Sequence, residues 1–247
     1  MDLKKIKPQF IKKPNPRIGL IALASDFMIE KDFVNIIKDK NIDFFVNRIK
    51  CYNPLTSENL IKMSKDVTDV TSDILPDEKI DCVVYGCTSG TIAAGYQSIY
   101  DKVNLAKPNT KVTTPITSAI NALKKLNIKR LSVFTPYTNE INQSVINYFK
   151  KENIEIKELS YFDIASDLDI GKVDPSHLFD VLVKKDLSKS DALFVSCTAL
   201  PVLSIIEDLE KKLGKLVLSS NQTLIWNTLK EINYNNKVEG FGELFNS

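Results

Sequence analysis

The sequence predicts an α/β fold of two similar lobes, each built on a parallel four-stranded sheet flanked by helices. Strands and helices alternate along the chain at short intervals. The strands are apolar and rich in β-branched residues, which is typical of buried parallel strands. The pattern also occurs twice, because a strand that ends in Cys87-Thr88 is repeated by one that ends in Cys197-Thr198.

In the first half, the best defined element is the strand of residues 80–85, because its apolar run stops abruptly at Gly86. Residues 56–75 carry apolar side chains at helical spacing and predict one long helix. We expect the remaining elements of this half to be strands at 18–23, 42–49 and 111–114, helices at 32–40 and 117–126, and a helix-like run at 92–96.

The second half repeats this order element by element, which indicates an internal duplication. We expect strands at 130–134, 154–156, 193–195 and 215–220, helices at 139–151, 177–186 and 222–232, and a variable loop after residue 156. The repeat predicts that lobe 1 comprises residues 1–116 and 221–247, and that lobe 2 comprises residues 117–220. The two Cys-Thr turns then face each other across one cleft between the lobes.

The composition describes an ordinary soluble globular chain, with 247 residues of which 43% are apolar and 26% charged. The formal net charge of +2 indicates neither a nucleic-acid nor a membrane partner. No apolar run approaches the ~20 residues of a membrane helix, and the polar N-terminus does not resemble a signal peptide, so we expect a cytoplasmic protein. A solvated tail is favoured over a basic arm for the six basic residues near the N-terminus: Lys4, Lys5, Lys7, Lys12, Lys13 and Arg17.

Cysteine usage points to two reactive thiols and no metal. The four cysteines have neither zinc-site spacing nor the density of a disulfide framework. We expect Cys82, and also Cys51, to be buried and inert. Cys87 and Cys197 follow strand ends, where a thiol faces a cleft. His177, the single histidine, is expected at a helix cap or on the surface, and no nucleotide motif is present, so neither a metal nor an organic cofactor is expected.

The residues of the two turns suit the removal of a proton next to a carboxylate. A thiolate can act as the base or add as a nucleophile, and its pKa falls near a helix N-terminus. Backbone N–H groups, with the hydroxyls of Thr88, Ser89 and Thr198, would stabilise negative charge on the carboxylate. Gly90 allows the backbone to approach closely. We expect the two sulfurs roughly 7–10 Å apart, with room for a small ligand. Ordinary turn and helix-cap chemistry is the structural alternative for the hydroxyls.

The two motifs resemble the Asp/Glu racemase superfamily. The resemblance rests on Gly86-Cys87-Thr88-Ser89-Gly90-Thr91 and Ser196-Cys197-Thr198-Ala199-Leu200, and it extends over nearly the whole chain from residue 17. The most similar branch holds maleate cis-trans isomerase, arylmalonate decarboxylase and the ectoine-utilisation proteins. Matching flanks are Leu23-Ala24-Ser25-Asp26 with Glu30-Lys31-Asp32-Phe33, Thr113-Thr114-Pro115, Thr135-Pro136-Tyr137, Ile170-Gly171-Lys172-Val173-Asp174-Pro175 and Ser220-Asn221-Gln222.

This resemblance implies a cofactor-free enzyme with two pseudosymmetric Rossmann-like lobes and with cysteines on opposite sides of a small carboxylate. Cys87 and Cys197 would be catalytic. Tyr137 matches a tyrosine that hydrogen-bonds the substrate in the isomerases, although an interface aromatic is the alternative. The residues expected to bind the substrate are Asp26, Thr88, Ser89, Gly90, Thr91, Thr114, Tyr137, Asp167, Thr198 and Ala199.

Asp26 and Asp167 depart from the maleate isomerases, which resemble this chain but carry asparagines at these positions. Two carboxylates facing a dianionic substrate would be electrostatically unfavourable, so the substrate is expected to pair its carboxylate with an amino, ammonium or sulfonium group. For Asp26, a helix cap is the structural alternative.

The resemblance leaves the reaction open among related chemistries. The expected enzyme is an isomerase or racemase. The alternatives are a lyase that eliminates from a sulfonium carboxylate such as DMSP, a decarboxylase, and a non-catalytic carboxylate-binding protein. The expected partners are a small carboxylate substrate and further copies of the chain in a homodimer or higher homo-oligomer.

Overall fold

The computed structural model describes residues 3–11 and 14–247. Lys12 and Lys13 of the predicted N-terminal tail lie outside the described residues, as do the first two residues of the range predicted for lobe 1. The rest of that tail is exposed and has no regular secondary structure as far as Pro16.

The first half of the chain alternates strands and helices, as the sequence predicts. Its elements are β1 (Arg17–Leu23), α1 (Ile29–Ile37), β2 (Asp43–Ile49), α2 (Ser57–Met63), α3 (Val67–Ser72), β3 (Cys82–Gly86), α4 (Thr88–Ala94), α5 (Tyr96–Ala106), β4 (Lys111–Thr113) and α6 (Pro115–Lys125).

The second half follows the same alternation. Its elements are β5 (Arg130–Thr135), α7 (Asn139–Lys151), β6 (Glu155–Tyr161), α8 (Asp167–Ile170), α9 (Pro175–Leu182), β7 (Ala192–Val195), α10 (Ile206–Leu213), β8 (Leu216–Ser219) and α11 (Ser220–Glu231).

The eight strands form two parallel four-stranded sheets with the same order, β2-β1-β3-β4 and β6-β5-β7-β8. The predicted fold class is therefore confirmed. In each sheet the chain leaves the two adjacent central strands in opposite directions, towards the two outer strands. Ligands bind at such a switch point in open α/β sheets. The predicted site residues Asp26 and Cys87 follow the central strands β1 and β3, and Tyr137 and Cys197 follow β5 and β7.

Helix α11 carries the chain from the second sheet back to the first. It starts directly after β8, and its Leu224 and Ile225 are buried in one cluster with Ile18 and Leu20 of β1. The first turn of α11 consequently lies between the two sheets. The lobe boundaries at residues 116/117 and 220/221 stay a prediction.

Several stretches differ from the elements expected from the sequence. Strand β6 continues to Tyr161 and is followed by α8, where a loop was expected after residue 156. The single helix expected at 56–75 is divided into α2 and α3 by a 3₁₀ turn, where the Ser64 hydroxyl donates to the Ile61 carbonyl at 2.8 Å. Helix α5 begins after Gly95, whose φ of 82° ends α4 and redirects the chain. Helix α10 is not among the elements expected from the sequence, although its buried residues Ile206 and Leu209 stand at helical spacing.

Within the described ranges, every helix is too short or too polar to cross a lipid bilayer.

Candidate active site between the lobes

Cys87 caps the N-terminus of α4. Its backbone is extended, with φ −142° and ψ 115°, and its thiol sulfur accepts a hydrogen bond from the Gly90 N–H at 3.2 Å. The Ser89 hydroxyl lies 3.8 Å from the same sulfur. Gly90 is required by space, because a Cβ at this position would lie 2.8 Å from both Cys87 Sγ and the hydroxyl of Tyr85. The Cys-Thr-Ser-Gly sequence thus holds the thiol against a helix start.

Cys197 has a different backbone conformation. Its φ is 115°, a region that residues other than glycine rarely occupy and that often marks a functional site. The chain after it runs without helix to Val202. The Cys197 N–H donates to the Ser220 hydroxyl oxygen at 2.9 Å, so the strained residue is held by the start of α11.

Ser220 joins the two Cys-Thr turns. Its hydroxyl oxygen accepts the Thr88 hydroxyl at 3.1 Å in addition to the Cys197 N–H. A second link between the lobes comes from the Thr198 hydroxyl, which donates to the Gly86 carbonyl at 3.3 Å. The structure therefore brings the two predicted turns together. Sequence reasoning had placed Ser220 only among the flanking matches.

Asp26 is compatible with both roles expected for it. One oxygen, Oδ1, accepts the backbone N–H groups of Met28 and Ile29 at 2.8 and 3.0 Å, as a cap before α1 would. The other, Oδ2, is buried and makes no hydrogen bond among the described residues. The nearby Thr198 hydroxyl donates to Gly86 instead.

Asp167 spans the two lobes at the first residue of α8. Its Oδ2 accepts the Ser25 hydroxyl at 2.6 Å, and its backbone N–H donates to Asn53 Oδ1 at 3.2 Å. Both partners belong to the first half of the chain. Asp167 is 4% exposed, so its carboxylate is enclosed rather than on the rim.

Asp32 is a third buried carboxylate, which sequence reasoning missed because acidic residues are common near helix starts. Asn221 Nδ2 donates to Asp32 Oδ2 at 2.7 Å and to the Thr198 carbonyl at 2.7 Å. Asp32 thereby supports the second Cys-Thr turn through one amide. The only signal in the sequence was that Asp32 and Asn221 both fall in stretches that carry the family resemblance.

Burial dominates the electrostatics of the three carboxylates. It raises the pKa of Asp26, that of Asp32 to about 7 and that of Asp167 to about 6. The charge of Asp26 further raises the pKa of the other two carboxyls. Arg48 compensates little, because its guanidinium bonds the carbonyls of Leu23 and Asp26 and pairs with the Glu30 carboxylate. Burial therefore disfavours the charged form of all three carboxyls, and among the described residues no internal cation is matched to the charge that they carry when ionised.

Burial favours the protonated form of both central thiols. Burial is the largest cause that raises the pKa of Cys87 and of Cys197, and the Asp167 carboxylate is the next cause for both. Opposing donors are the Gly90 N–H and the Ser89 hydroxyl at Cys87, and the Ala199 N–H and the Tyr137 hydroxyl at Cys197. Each thiol thus has donors in place that could hold a thiolate once its surroundings change.

The remaining predicted residues divide between the site and its supports. Tyr137 is buried beside Cys197. The Thr91 hydroxyl donates to the Cys87 carbonyl at 2.7 Å within α4, which supports the turn from behind. Thr114 bonds the Thr117 hydroxyl at 2.8 Å at the start of α6, and the structure gives it no hydrogen bond to either turn.

The other two cysteines differ from each other. Cys82 is the buried first residue of β3, and burial raises its pKa to about 12, as expected of an inert thiol. Cys51, which was expected to be buried, is only partly buried. It follows β2 and lies close enough to Ser25 and Asp167 for both to influence its pKa, which burial raises to about 11. It therefore belongs to the surroundings of the site. His177 is exposed, and its backbone N–H is capped by Asp174, as expected.

Nowhere in residues 3–11 or 14–247 do three or more His, Cys, Asp or Glu side chains form a group that could hold a metal ion.

Comparison with known proteins gives one consistent set of relatives. A family model described as arylmalonate decarboxylase matches residues 95–245. Maleate isomerase of Geobacillus stearothermophilus is 26% identical to this chain, over 92% of the chain and 96% of its own length. Arylmalonate decarboxylase of Bordetella bronchiseptica is 26% identical over 54% of this chain and 57% of its own.

Solved structures share the fold. Maleate isomerase Iso from Pseudomonas putida S16 superimposes with a TM-score of 0.85 at 22% identity, covering 93% of this chain and 98% of that one. A cysteine-to-serine variant of Nocardia farcinica maleate cis-trans isomerase, with a covalently bound succinylcysteine intermediate, has a TM-score of 0.85 at 20% identity, with 93% and 98% coverage.

Proposed function

The chain belongs to the arylmalonate decarboxylase family, and we propose that it is a two-cysteine isomerase or racemase that acts, without a cofactor, at the carbon α to a carboxylate. The predicted membership of the Asp/Glu racemase superfamily is confirmed by this family and by its relatives. The predicted enzyme class, an isomerase of that superfamily, agrees with the maleate isomerases among them.

One observation carries the proposal: Ser220 ties the two Cys-Thr turns together at a single buried point. Its hydroxyl oxygen accepts the hydroxyl of Thr88, the neighbour of Cys87, and the backbone N–H of Cys197. A reaction that moves a proton from one face of a carbon to the other needs one acid and one base on opposite sides. Two thiols on turns of opposite lobes supply that pair.

In the proposed reaction one cysteine is a thiolate and the other a thiol. The thiolate takes the α-proton, and the electron pair of the broken C–H bond moves onto the carboxylate, giving an enediolate. The opposite thiol then returns a proton to the other face, which leaves the two cysteines with exchanged protonation states. Backbone N–H groups and the Ser89 hydroxyl are suited to hold the enediolate oxygens, where one donor is worth roughly 3–4 kcal/mol at the transition state.

For an unsaturated substrate, the thiolate could instead add to the double bond. Rotation about the resulting single bond and expulsion of the thiolate would complete a cis–trans isomerisation. The covalently bound succinylcysteine of the Nocardia farcinica enzyme is a precedent for such an adduct in a relative.

We also propose that the substrate carries a positive group. The buried carboxylates of Asp26 and Asp167 raise the pKa values of neighbouring acids rather than being neutralised by a basic side chain. A second substrate carboxylate would add to this repulsion, whereas a cation would relieve it. By lowering the negative potential at Cys87 and Cys197, a bound cation would also make thiolate formation easier.

A proton-exchange experiment tests the function directly. Small carboxylates, with and without a cationic substituent, are incubated with the enzyme in deuterated water, and loss of the α-proton signal is followed by NMR. We expect exchange that survives dialysis against a chelator and disappears in Cys87→Ser and Cys197→Ser. Binding with neither α-proton exchange nor cis–trans conversion of any carboxylate would favour a carboxylate-binding protein, and activity restored only by added metal would contradict the proposal.

The same spectra separate the remaining chemistries. The family match favours decarboxylation as the second candidate, which would release carbon dioxide and leave deuterium at the former carboxyl position. Elimination from a sulfonium carboxylate would give an alkene and a free sulfide. A cytoplasmic location and a homodimer or higher homo-oligomer remain predictions, and gel filtration with light scattering would test the latter.

A further inference from the structure

The buried polar atoms around Thr198 include two hydrogen-bond acceptors that have no donor. Asp26 Oδ2 and Asn221 Oδ1 are both inaccessible to solvent and make no hydrogen bond among the residues that the structure describes. Asp26 is 0% and Asn221 3% exposed. An unpaired buried acceptor is costly, so two of them beside one residue point to a ligand group.

The orientation of the Asn221 amide is fixed by its neighbours. Both hydrogens of Nδ2 are used, one on the Asp32 carboxylate and one on the Thr198 carbonyl, each at 2.7 Å. Turning the amide over would place its oxygen against these two acceptors. Asn221 Oδ1 is therefore held as an acceptor, with its orientation set by Asp32.

The nearby side chains provide no cation for these acceptors. The Arg48 guanidinium is taken by two carbonyls and Glu30, and Lys31 has only a weak electrostatic effect on Asp32. The backbone N–H groups that reach Asp26 both bind Oδ1, and the Thr198 hydroxyl beside this carboxylate donates to the Gly86 carbonyl. A group that satisfies Asp26 Oδ2 and Asn221 Oδ1 together must bring its own hydrogen-bond donors, and a cationic N–H group makes the strongest hydrogen bonds to a carboxylate.

We propose that Asp26 Oδ2 and Asn221 Oδ1 form a subsite for a substrate ammonium group that carries N–H bonds. This inference rests on the proposed function and narrows its substrate class to amino carboxylates. An –NH₃⁺ group offers three donors. A sulfonium or a trimethylammonium group offers the same charge and no donor, so it would leave both acceptors unpaired.

A methylation series on the unmodified enzyme tests the subsite. The probes are alanine and β-alanine, the N,N,N-trimethyl form of each, and dimethylsulfoniopropionate, with affinities measured by calorimetry. We expect at least one ammonium probe to bind about tenfold or more tightly than its trimethylated form, because each lost hydrogen bond to a charged group has that order of effect. Equal or tighter binding of a trimethylated or sulfonium probe would overturn the proposal, as would failure of both ammonium probes to bind.

Two variants attribute the preference to the named atoms. Asn221→Leu removes the acceptor without changing charge and should reduce the ratio of the two affinities below about threefold. Asn227→Leu is the matched control: Asn227 is a buried asparagine on the same helix, whose oxygen instead accepts from Asn121. A ratio unchanged in Asn221→Leu and lost in Asn227→Leu would refute the assignment.

Asp26→Asn is a second test of the subsite, for use if Asn221→Leu fails to fold. It keeps the acceptor that caps α1 and can place an NH₂ donor where Oδ2 was, so the ammonium probe should weaken by about tenfold or more. Undiminished affinity in a folded Asp26→Asn protein would overturn the proposal.

The proposed subsite and the proposed reaction can be refuted independently of each other. A preference for ammonium probes without α-proton exchange would support the subsite and count against the reaction. Exchange confined to carboxylates that lack a cation, such as propionate, would support the reaction and overturn the subsite. In Cys87→Ser the probe ratio should persist while exchange is lost.

Discussion

The two Cys-Thr turns share a sequence motif and a place in the sheet, yet they fold differently. Cys87 is extended, with φ −142°, and α4 begins at the next residue. Cys197 has φ 115°, and the next α-helix, α10, begins only at Ile206. A duplicated sequence motif therefore does not ensure a duplicated backbone. The residues after the motif decide whether the turn can continue into a helix.

The difference shows which part of the chain holds each thiol. The first turn is held by its own helix, through the Gly90 N–H on the Cys87 sulfur. The second turn is held from outside, by the side chains of Ser220 and Asn221 at the start of α11. The thiols also have different donors: Ser89 supports Cys87, and Tyr137 supports Cys197. Such unlike surroundings can hold one cysteine as a thiolate while the other stays a thiol when the substrate binds.

The largest expected effect comes from removing either thiol. Cys87→Ser and Cys197→Ser should each lower the rate of substrate turnover by about 10³-fold or more while leaving ligand affinity nearly unchanged, because a hydroxyl is far less acidic than a thiol. Steady-state rates and calorimetric affinities measure the two quantities.

Cys82→Ala is the control, since this thiol is buried inside β3. Full activity in one of the two serine variants would show that only one of the two cysteines takes part in the chemistry.

The second effect tests whether the turns act as one unit. Ser220→Ala removes the acceptor shared by Thr88 and the Cys197 N–H, leaving that buried N–H unpaired. We expect kcat to fall by about 100-fold with a smaller change in KM, and Ser220→Thr to restore part of the loss. Pre-steady-state and steady-state kinetics supply both constants.

Ser118→Ala is the matched control, because Ser118 is a buried serine whose hydroxyl makes no hydrogen bond in the described part of the chain. If Ser220→Ala and Ser118→Ala lowered stability alike and left kcat alone, Ser220 would be a structural residue only.

The fold could be predicted from the sequence because the patterns that specify its strands are local and occur twice in the same order. Apolar β-branched runs specify buried strands, and the repeated order predicts two similar sheets. The breaks inside helices were not predictable in the same way. The division of 56–75 depends on a side-chain hydrogen bond of Ser64, and α5 follows a positive φ at Gly95 that gives no periodic signal.

The candidate site was predictable where a residue type carries its own chemistry. A thiol or hydroxyl residue directly after a predicted strand is recognisable from the sequence as a candidate site residue. Cys87, Cys197, Thr88 and Thr198 could be selected in this way. Ser220, Asn221 and Asp32 could not, because their importance comes from contacts across long separations in the chain. A buried carboxylate and an exposed one look the same in sequence, and only packing distinguishes them.

The third effect concerns the support behind the second turn. Asp32 has its pKa raised from 3.8 to about 7, so its protonated form stabilises the fold below pH ~4, and this stabilisation is lost as the pH rises through about 7. Asp32→Asn removes that dependence. A shift of this size is worth about 4 kcal/mol, and loss of the charged hydrogen bond to Asn221 offsets part of it.

We therefore expect Asp32→Asn to be about 2 kcal/mol more stable than the wild type at pH 8 and nearly equal to it at pH 4. Urea unfolding at both pH values measures the difference. Equal effects at the two pH values would show that Asp32 does not titrate in this range. The first turn has no such carboxylate among its hydrogen-bond partners, so its stability should not follow this pattern.

The smallest effect distinguishes the electrostatic environments of the two thiols. Asp167 raises the pKa of both Cys87 and Cys197, whereas Asp26 is among the causes for Cys197 alone. Asp167→Asn should therefore lower both thiol pKa values and speed alkylation of both cysteines a few-fold at a fixed pH. Asp26→Asn should lower the thiol pKa and speed alkylation at Cys197 only.

Alkylation rates are measured by mass spectrometry of each cysteine peptide after timed exposure to iodoacetamide. Asp169→Asn is the control, since Asp169 is exposed and paired with Lys172. If Asp26→Asn accelerated Cys87 as much as Cys197, the two turns would lie in one electrostatic environment, and the distinction between them would rest on backbone geometry alone.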